Sequence, residues 1–89
     1  MDENKIFTNA ISVFGEEHQE RIAIEELSEL IQAICHKHRG REHNIVEEIA
    51  DVEIVIEQLK IINNCHKAVE KMRKKKIERL FDRVFDKIF

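Results

Sequence analysis

Two short acidic motifs hold the side chains of this chain that are best suited to chemistry. The first, EELSE, covers residues 25–29, and the second, EEIAD, covers residues 47–51. Residues three apart share a helix face, which pairs the acids of each motif as Glu26 with Glu29 and Glu48 with Asp51. If the two segments are helices that pack together, four carboxylates converge without a neutralising cation. Such a cluster is typical of a site for a hard divalent cation, most often Mg²⁺.

Helices must position these acids, because the 89-residue chain has no proline and only two glycines. Helix-forming residues dominate, which favours a single all-α domain over residues 1–89. Hydrophobic spacing predicts helices over residues 2–14, 16–38, 45–63 and 66–88. Gly15 and Gly40 end the first two. Asn44 and Glu47 predict a capping box at the start of the third.

The acids flank the predicted core of the two central helices. The spacing predicts core stripes made of Ala23, Leu27, Leu30, Ile31 and Ile34 in the second helix and of Ile45, Ile49, Val52, Ile56 and Leu59 in the third. At about 100° per residue, Glu48 and Asp51 share a sector with Val55 and Ile62, and Glu26 and Glu29 lie on the side of Ile22 and Ala33. Glu53 and Glu57 point away from the core. The short connection between the helices predicts an antiparallel hairpin within a four-helix architecture.

Composition narrows the classes of partner. The net charge of −3 does not favour nucleic-acid binding by the chain as a whole, although residues 67–83 are basic. No apolar run reaches membrane-spanning length, and no signal-peptide segment begins the chain, so a cytoplasmic location is expected. Cys35 and Cys65 are expected to be free thiols. A helical chain this small often completes its core by oligomerising, which predicts a homodimer or homotetramer.

The two acidic motifs resemble the signature of the MazG-like all-α nucleoside triphosphate pyrophosphohydrolases, which are related to the dimeric dUTPases. The family pattern, EExxE on one helix and ExxD on the next, reads here as residues 25–29 followed by residues 48–51. Apolar residues around the acids fit as well, and the similarity covers roughly residues 16–62. The resemblance implies a MazG-like four-helix bundle completed by oligomerisation.

The resemblance also implies a reaction. It places Mg²⁺, or alternatively Mn²⁺, on Glu26, Glu29, Glu48 and Asp51, with Glu25 as an auxiliary group. The implied substrate is a nucleoside triphosphate, NTP or dNTP, cleaved to the monophosphate and pyrophosphate. We expect Glu25 or Glu29 to take the proton from the attacking water. The sequence leaves open the preferred base and sugar, and whether the role is nucleotide-pool house-cleaning or control of pool size.

Three further groups are candidates for substrate contact. Lys37, Arg39 and Arg41 surround Gly40 beside the acids and are expected to bind the β and γ phosphates. On the last helix, Lys76 and Arg79 are the best local match to basic residues that approach the triphosphate in the family. Gln19 is the candidate for contacting the base. The alternative for each group is an ordinary solvated helix face.

Other functions stay open at this point. A carboxylate-bridged di-iron site would need a histidine three residues after Glu26 or Glu48, and neither position has one. All-oxygen ligands favour Mg²⁺ or Mn²⁺ over iron or zinc. The chain could instead be a non-catalytic helical interaction protein whose acids are merely solvated. A third reading is a small nucleic-acid-binding protein that uses the basic helix of residues 67–83.

Overall fold

The computed structural model describes residues 1–88, so residue 89, the last of the predicted domain, lies outside it. The described chain is all-α, as predicted, and has no strand. Its helices are α1 (Glu3–Phe14), α2 (Glu16–His38), α3 (Ile45–Ile62) and α4 (His66–Ile88). The predicted bounds agree with these to within one residue.

Left-handed backbone conformations separate the helices. Gly15 has φ +94° between α1 and α2, and its amide donates to the Ile11 carbonyl over 2.8 Å. Gly40 has φ +68° after α2, and Asn64 has φ +48° between α3 and α4. Glycine and asparagine adopt such angles at low cost, which explains why the helices end here.

The predicted capping box at the start of α3 is wrong. The Asn44 side chain makes no capping hydrogen bond to the first turn. Its Nδ2 donates instead to Oε1 of Glu48 over 2.9 Å. Asn44 therefore contributes its side chain to the acidic region rather than to the helix end.

The hairpin of α2 and α3 is the main packing unit of the chain. Its antiparallel register is visible in three facing pairs: Gln19 with Gln58, Glu26 with Asp51, and Glu29 with Glu48. Each step along α2 from one pair to the next is matched by an equal step back along α3. The predicted acidic face of each helix thus lies in the contact between the two helices, which we call the seam.

The predicted core stripes are only partly right. In the seam, the buried residues are small or polar, namely Gln19, Ala23 and Ala33 from α2 and Glu48, Val55 and Gln58 from α3. Several large residues of the predicted stripes are exposed instead, namely Leu27, Ile31, Ile34, Ile49 and Ile56. Small side chains let the two backbones approach closely, so the large ones lie on outer faces of the hairpin.

The fourth helix extends away from the hairpin. Among the described residues, α4 contacts only α3, and none of its side chains is buried. The radius of gyration is 16.3 Å, whereas a compact domain of this length has about 12 Å. The described chain therefore lacks the packing of α4 that a closed bundle requires.

Two smaller expectations can be compared with the structure. Cys35 and Cys65 are both free, as predicted. Over residues 1–88, no helix combines the length and the apolar character needed to cross a membrane.

Candidate metal centre

Three carboxylates converge halfway along the seam. Glu26 and Glu29 of α2 and Glu48 of α3 each place one oxygen so that all three atoms lie within 4.8 Å of one another. Glu26 and Glu29 are one turn apart on α2, and Glu48 faces them across the antiparallel contact. The geometry thus brings together three of the four acids that the sequence predicted to bind metal.

The fourth predicted ligand, Asp51, faces Glu26. Burial raises the pKa of Glu26 to about 7, and the negative charge of Asp51 is the next cause, followed by the charges of Glu29 and Glu48. Contact between the carboxyl groups of Asp51 and Glu26 raises the pKa further. Asp51 therefore belongs to the same electrostatic cluster, although its oxygens lie outside the closest group of three.

Glu48 is the most deeply buried acid of the cluster, with 5% of its surface exposed. Burial raises the pKa of its carboxyl group, and the charge and contact of Glu29 raise it further, while the hydrogen bond from Asn44 opposes the shift. One oxygen, Oε1, accepts that bond from Asn44. The other oxygen, Oε2, is buried without a hydrogen-bond partner, as is Oε2 of Glu26.

No basic side chain neutralises these acids within residues 1–88. The ion pairs of that part of the chain join Arg21 to Glu17 and Lys60 to Glu57, both outside the cluster. Buried carboxylate oxygens without donors are costly, because desolvation disfavours their charged form. A cation bound by carboxylate oxygens would remove this cost, and an all-oxygen donor set suits Mg²⁺ or Mn²⁺. The residues present therefore fit such an ion.

A polar cleft of about 370 Å³ adjoins the cluster at the loop end of the hairpin. It is lined by Glu29, Gln32, Ala33, His36, Asn44 and Glu48. Gln32, His36 and Asn44 are not among the metal- or substrate-binding residues predicted from the sequence. Gln32 and His36 follow Glu29 by three and seven residues, so helical spacing from Glu29 could have found them.

The other predicted site residues lie outside the cluster. Glu25 is exposed, and the group of three close acids does not include it. Lys37, Arg39 and Arg41 are exposed at the loop end of the hairpin, near the cleft. On α4, Lys76 and Arg79 are exposed and form no ion pair with the described acids.

Gln19 occupies a different place from the one expected of a base-binding residue. It is buried in the seam, where its Nε2 donates to Oε1 of Gln58 over 2.7 Å. Its Oε1 lies 2.8 Å from Nδ1 of His18. Both ends of the amide are therefore already hydrogen-bonded within the hairpin.

Fold and site together define an all-α protein with a candidate divalent-cation centre in a two-helix seam. Comparisons with protein-family models, with curated proteins and with solved structures give no significant match.

Proposed function

We propose that this chain is an Mg²⁺-dependent nucleoside triphosphate pyrophosphohydrolase, with Mn²⁺ as the alternative ion, that acts in the cytoplasm as a homo-oligomer. The observation that carries the proposal is the buried, unpartnered Oε2 of Glu48 among three other acids, which no basic side chain of residues 1–88 neutralises. The resemblance of residues 25–29 and 48–51 to the MazG-like signature supports the choice of reaction.

The residues that would hold the ion are Glu26, Glu29, Glu48 and Asp51. When bound, Mg²⁺ neutralises phosphate oxygens and lowers the pKa of a coordinated water. The carboxylates contribute charge and orientation, and Asn44 fixes Glu48 through its hydrogen bond to Oε1. Partners of this kind position a ligand and tune its basicity.

In the proposed reaction, a water oxygen bonds to the α-phosphorus and the bond from that phosphorus to the α–β bridging oxygen breaks. The products are a nucleoside monophosphate and pyrophosphate. A carboxylate must take the proton from the water, and Glu29 is the better placed of the two candidates. It is exposed to solvent yet has an oxygen within the acidic cluster, whereas Glu25 lies outside the group of three.

The phosphate tail would lie in the polar cleft. Gln32 and His36 line this cleft, and the exposed cations Lys37, Arg39 and Arg41 follow on the same end of the hairpin. Amide, imidazole and cationic donors suit phosphate oxygens. Lys76 and Arg79 would have to come from another copy of the chain, because α4 extends away from the seam. Gln19 would contact a base only by giving up its bond to Gln58.

We propose that the four-helix bundle is completed only when copies of the chain associate. Within residues 1–88, no large side chain is fully buried, and the buried apolar core consists of Ala23, Ala33 and Val55. So small a core contributes little hydrophobic stabilisation, and helical chains of this kind are commonly completed by a second copy.

Hydrolysis of a panel of NTPs and dNTPs, followed by ³¹P NMR, tests the proposed activity. We expect the wild type with Mg²⁺ to release monophosphate and pyrophosphate from at least one substrate, and chelation by EDTA to abolish the reaction. Glu48→Gln should lower kcat by about 100-fold or more, as expected for loss of a group that holds a metal. Glu47→Gln is the matched control, because Glu47 is an exposed acid of the same helix.

The competing interpretation, a non-catalytic interaction protein, predicts the opposite pattern. No triphosphate would be consumed by the wild type, and Glu48→Gln would stabilise the fold without any loss of divalent-ion binding. That result would remove the enzymatic proposal.

A further inference from the structure

Over residues 1–88, the apolar surface of α4 is largely uncovered. Exposed large side chains follow one side of the helix over most of its length, namely Val69, Met72, Ile77, Leu80, Phe81, Val84 and Ile88. Its N-terminal half forms an apolar groove of about 410 Å³ in which Arg73 and Lys76 are the polar neighbours. Exposed apolar surface of this extent marks an interaction site.

The area of this surface indicates a second copy of the chain as its cover. The described structure exposes 7,591 Å², whereas a folded monomer of 10.6 kDa exposes about 5,500 Å². The excess is about 2,000 Å² per chain, so two copies that hide it would bury about 4,000 Å² in total. Obligate homodimers bury roughly 2,000–5,000 Å², which matches this excess.

Charge distinguishes between two ways of pairing the copies. Residues 1–65 contain 14 acidic and six basic residues, a net charge of −8, whereas residues 66–89 contain four acidic and nine basic residues, a net charge of +5. Pairing α4 with α4 would bring like charges together. Pairing α4 with the α1–α3 part of the other copy joins opposite charges, and complementary potentials of this kind favour and orient association.

A cleft on the α1–α3 part has the matching chemistry. It has a volume of about 630 Å³ and lies between α1 and α3. Its apolar side chains include Phe7, Val52 and Ile56, and its acids are Glu3, Glu53 and Glu57. Lys60, which pairs with Glu57 over 3.3 Å, and Arg73 of the chain's own α4 also line it, so its three acids outnumber its two cations. An apolar helix with basic flanks fits a cleft with an acidic rim.

We propose that α4 of one protomer docks in the α1–α3 cleft of a second copy, and that the partner's α4 returns the same contact. The exchange is two-fold symmetric, so each copy presents the same pair of surfaces and the assembly closes as a dimer. Lys74 borders the apolar stripe on one side and Arg83 and Lys87 border it on the other, so they would face the acidic rim. The contact does not depend on the proposed catalytic activity, and its test does not use that activity.

Charge reversal of each surface, followed by sedimentation equilibrium of the full chain, tests the exchange. The wild type should sediment as a dimer of about 21 kDa, twice its 10.6 kDa mass. The rim variant carries Glu3→Lys, Glu53→Lys and Glu57→Lys, and the helix variant carries Lys74→Glu, Arg83→Glu and Lys87→Glu. Each should be a monomer alone, because its own surfaces repel. An equimolar mixture should form heterodimers, detected by native mass spectrometry.

Controls separate loss of docking from loss of folding. Leu80→Asp should shift the chain to monomer, whereas Lys71→Gln, an equal change of net charge on the opposite face of the same helix, should leave the dimer intact. Circular dichroism checks that each variant keeps its helices. Heterodimers can form in the mixture only if both variants fold. Restored association therefore supports the exchange even if each variant alone is less stable than the wild type.

Other outcomes overturn the proposal. A wild type that stays monomeric at all concentrations removes the interface. A rim variant that remains a dimer indicates that α4 pairs with α4. Dissociation by Leu27→Asp with Ile31→Asp, without an effect of rim reversal, would move the contact to the outer face of α2.

Discussion

At the scale of the residue, the buried acids of the seam carry an electrostatic cost that the proposed cation would remove. Glu48 has a buried oxygen without a partner, and Glu26 has another. A buried acceptor left unsatisfied costs about 1–3 kcal/mol, and more when it is charged. The metal-free protein should therefore gain stability when one of these charges is removed.

Glu48→Gln should raise the thermal midpoint of the metal-free protein by roughly 4–8 °C, the shift that about 1 kcal/mol produces in a domain of this size. The new side chain keeps an oxygen to accept the Asn44 bond and adds a donor towards Glu29. Calorimetry in EDTA at fixed protein concentration measures the shift, with Glu47→Gln as the control. A lower midpoint for Glu48→Gln would show that its charge is already compensated.

The raised pKa of Glu26 predicts a particular pH dependence. The folded group has a pKa of about 7 against an ordinary value of 4.5, so the folded state binds more protons between these values. The contribution of Glu26 to the stability of the metal-free protein should therefore be greatest below pH 4.5. It should fall as the pH rises from 4.5 to 7. Urea unfolding in EDTA at several pH values measures it. Glu26→Gln should remove this fall; an equal fall in that variant would assign it to another group.

At the scale of the element, polar and small residues determine how α2 and α3 meet. Sequence spacing located the helix ends, because Gly15, Gly40 and Asn63 interrupt helices locally. It also placed Glu48 in one sector with Val55, and both are buried. It placed Ala23 in the core correctly but misplaced Ile31 and Ile49, because hydrophobicity alone does not reveal that a close seam selects small residues. The Gln19–Gln58 pair was not foreseen, since it depends on register between helices.

Gln58→Ala should destabilise the protein by about 1–3 kcal/mol, because it leaves the buried Nε2 of Gln19 without an acceptor. Replacing both residues by leucine should cost much less, since no polar group is then left unsatisfied. Urea unfolding measures both changes. Gln32→Ala, at an exposed position, is the control. A double variant as unstable as Gln58→Ala would mean that the hydrogen bond itself contributes little.

At the scale of the whole molecule, the exposed surface of the single chain is the dominant feature. The proposed exchange of α4 would bury about 4,000 Å² and make folding depend on association. The thermal midpoint should then rise with protomer concentration, because mass action favours the dimer. Scanning calorimetry over a 100-fold range of concentration measures this rise. Leu80→Asp should show no such dependence, and a wild type without it would contradict an obligate dimer.

The sequence predicted a homo-oligomer, which stays a prediction, and it did not indicate which surfaces would meet. Composition indicated a limited core, and the basic character of residues 67–83 was visible in the sequence. The direction in which α4 leaves the hairpin is set by the turn at Asn63 and Asn64. The residue types alone do not determine the geometry of that turn. The acidic motifs, by contrast, act over one helical turn, so their spacing was enough to group Glu26 with Glu29 and Glu48 with Asp51.

Titration with Mn²⁺, followed by electron paramagnetic resonance of the free ion, is the most direct test that the seam acids form a divalent-cation site. We expect saturable binding to the wild type, retained in Glu47→Gln and strongly weakened in Glu48→Gln and Asp51→Asn. Binding of equal strength in all four proteins, or no saturable binding to the wild type, would contradict it.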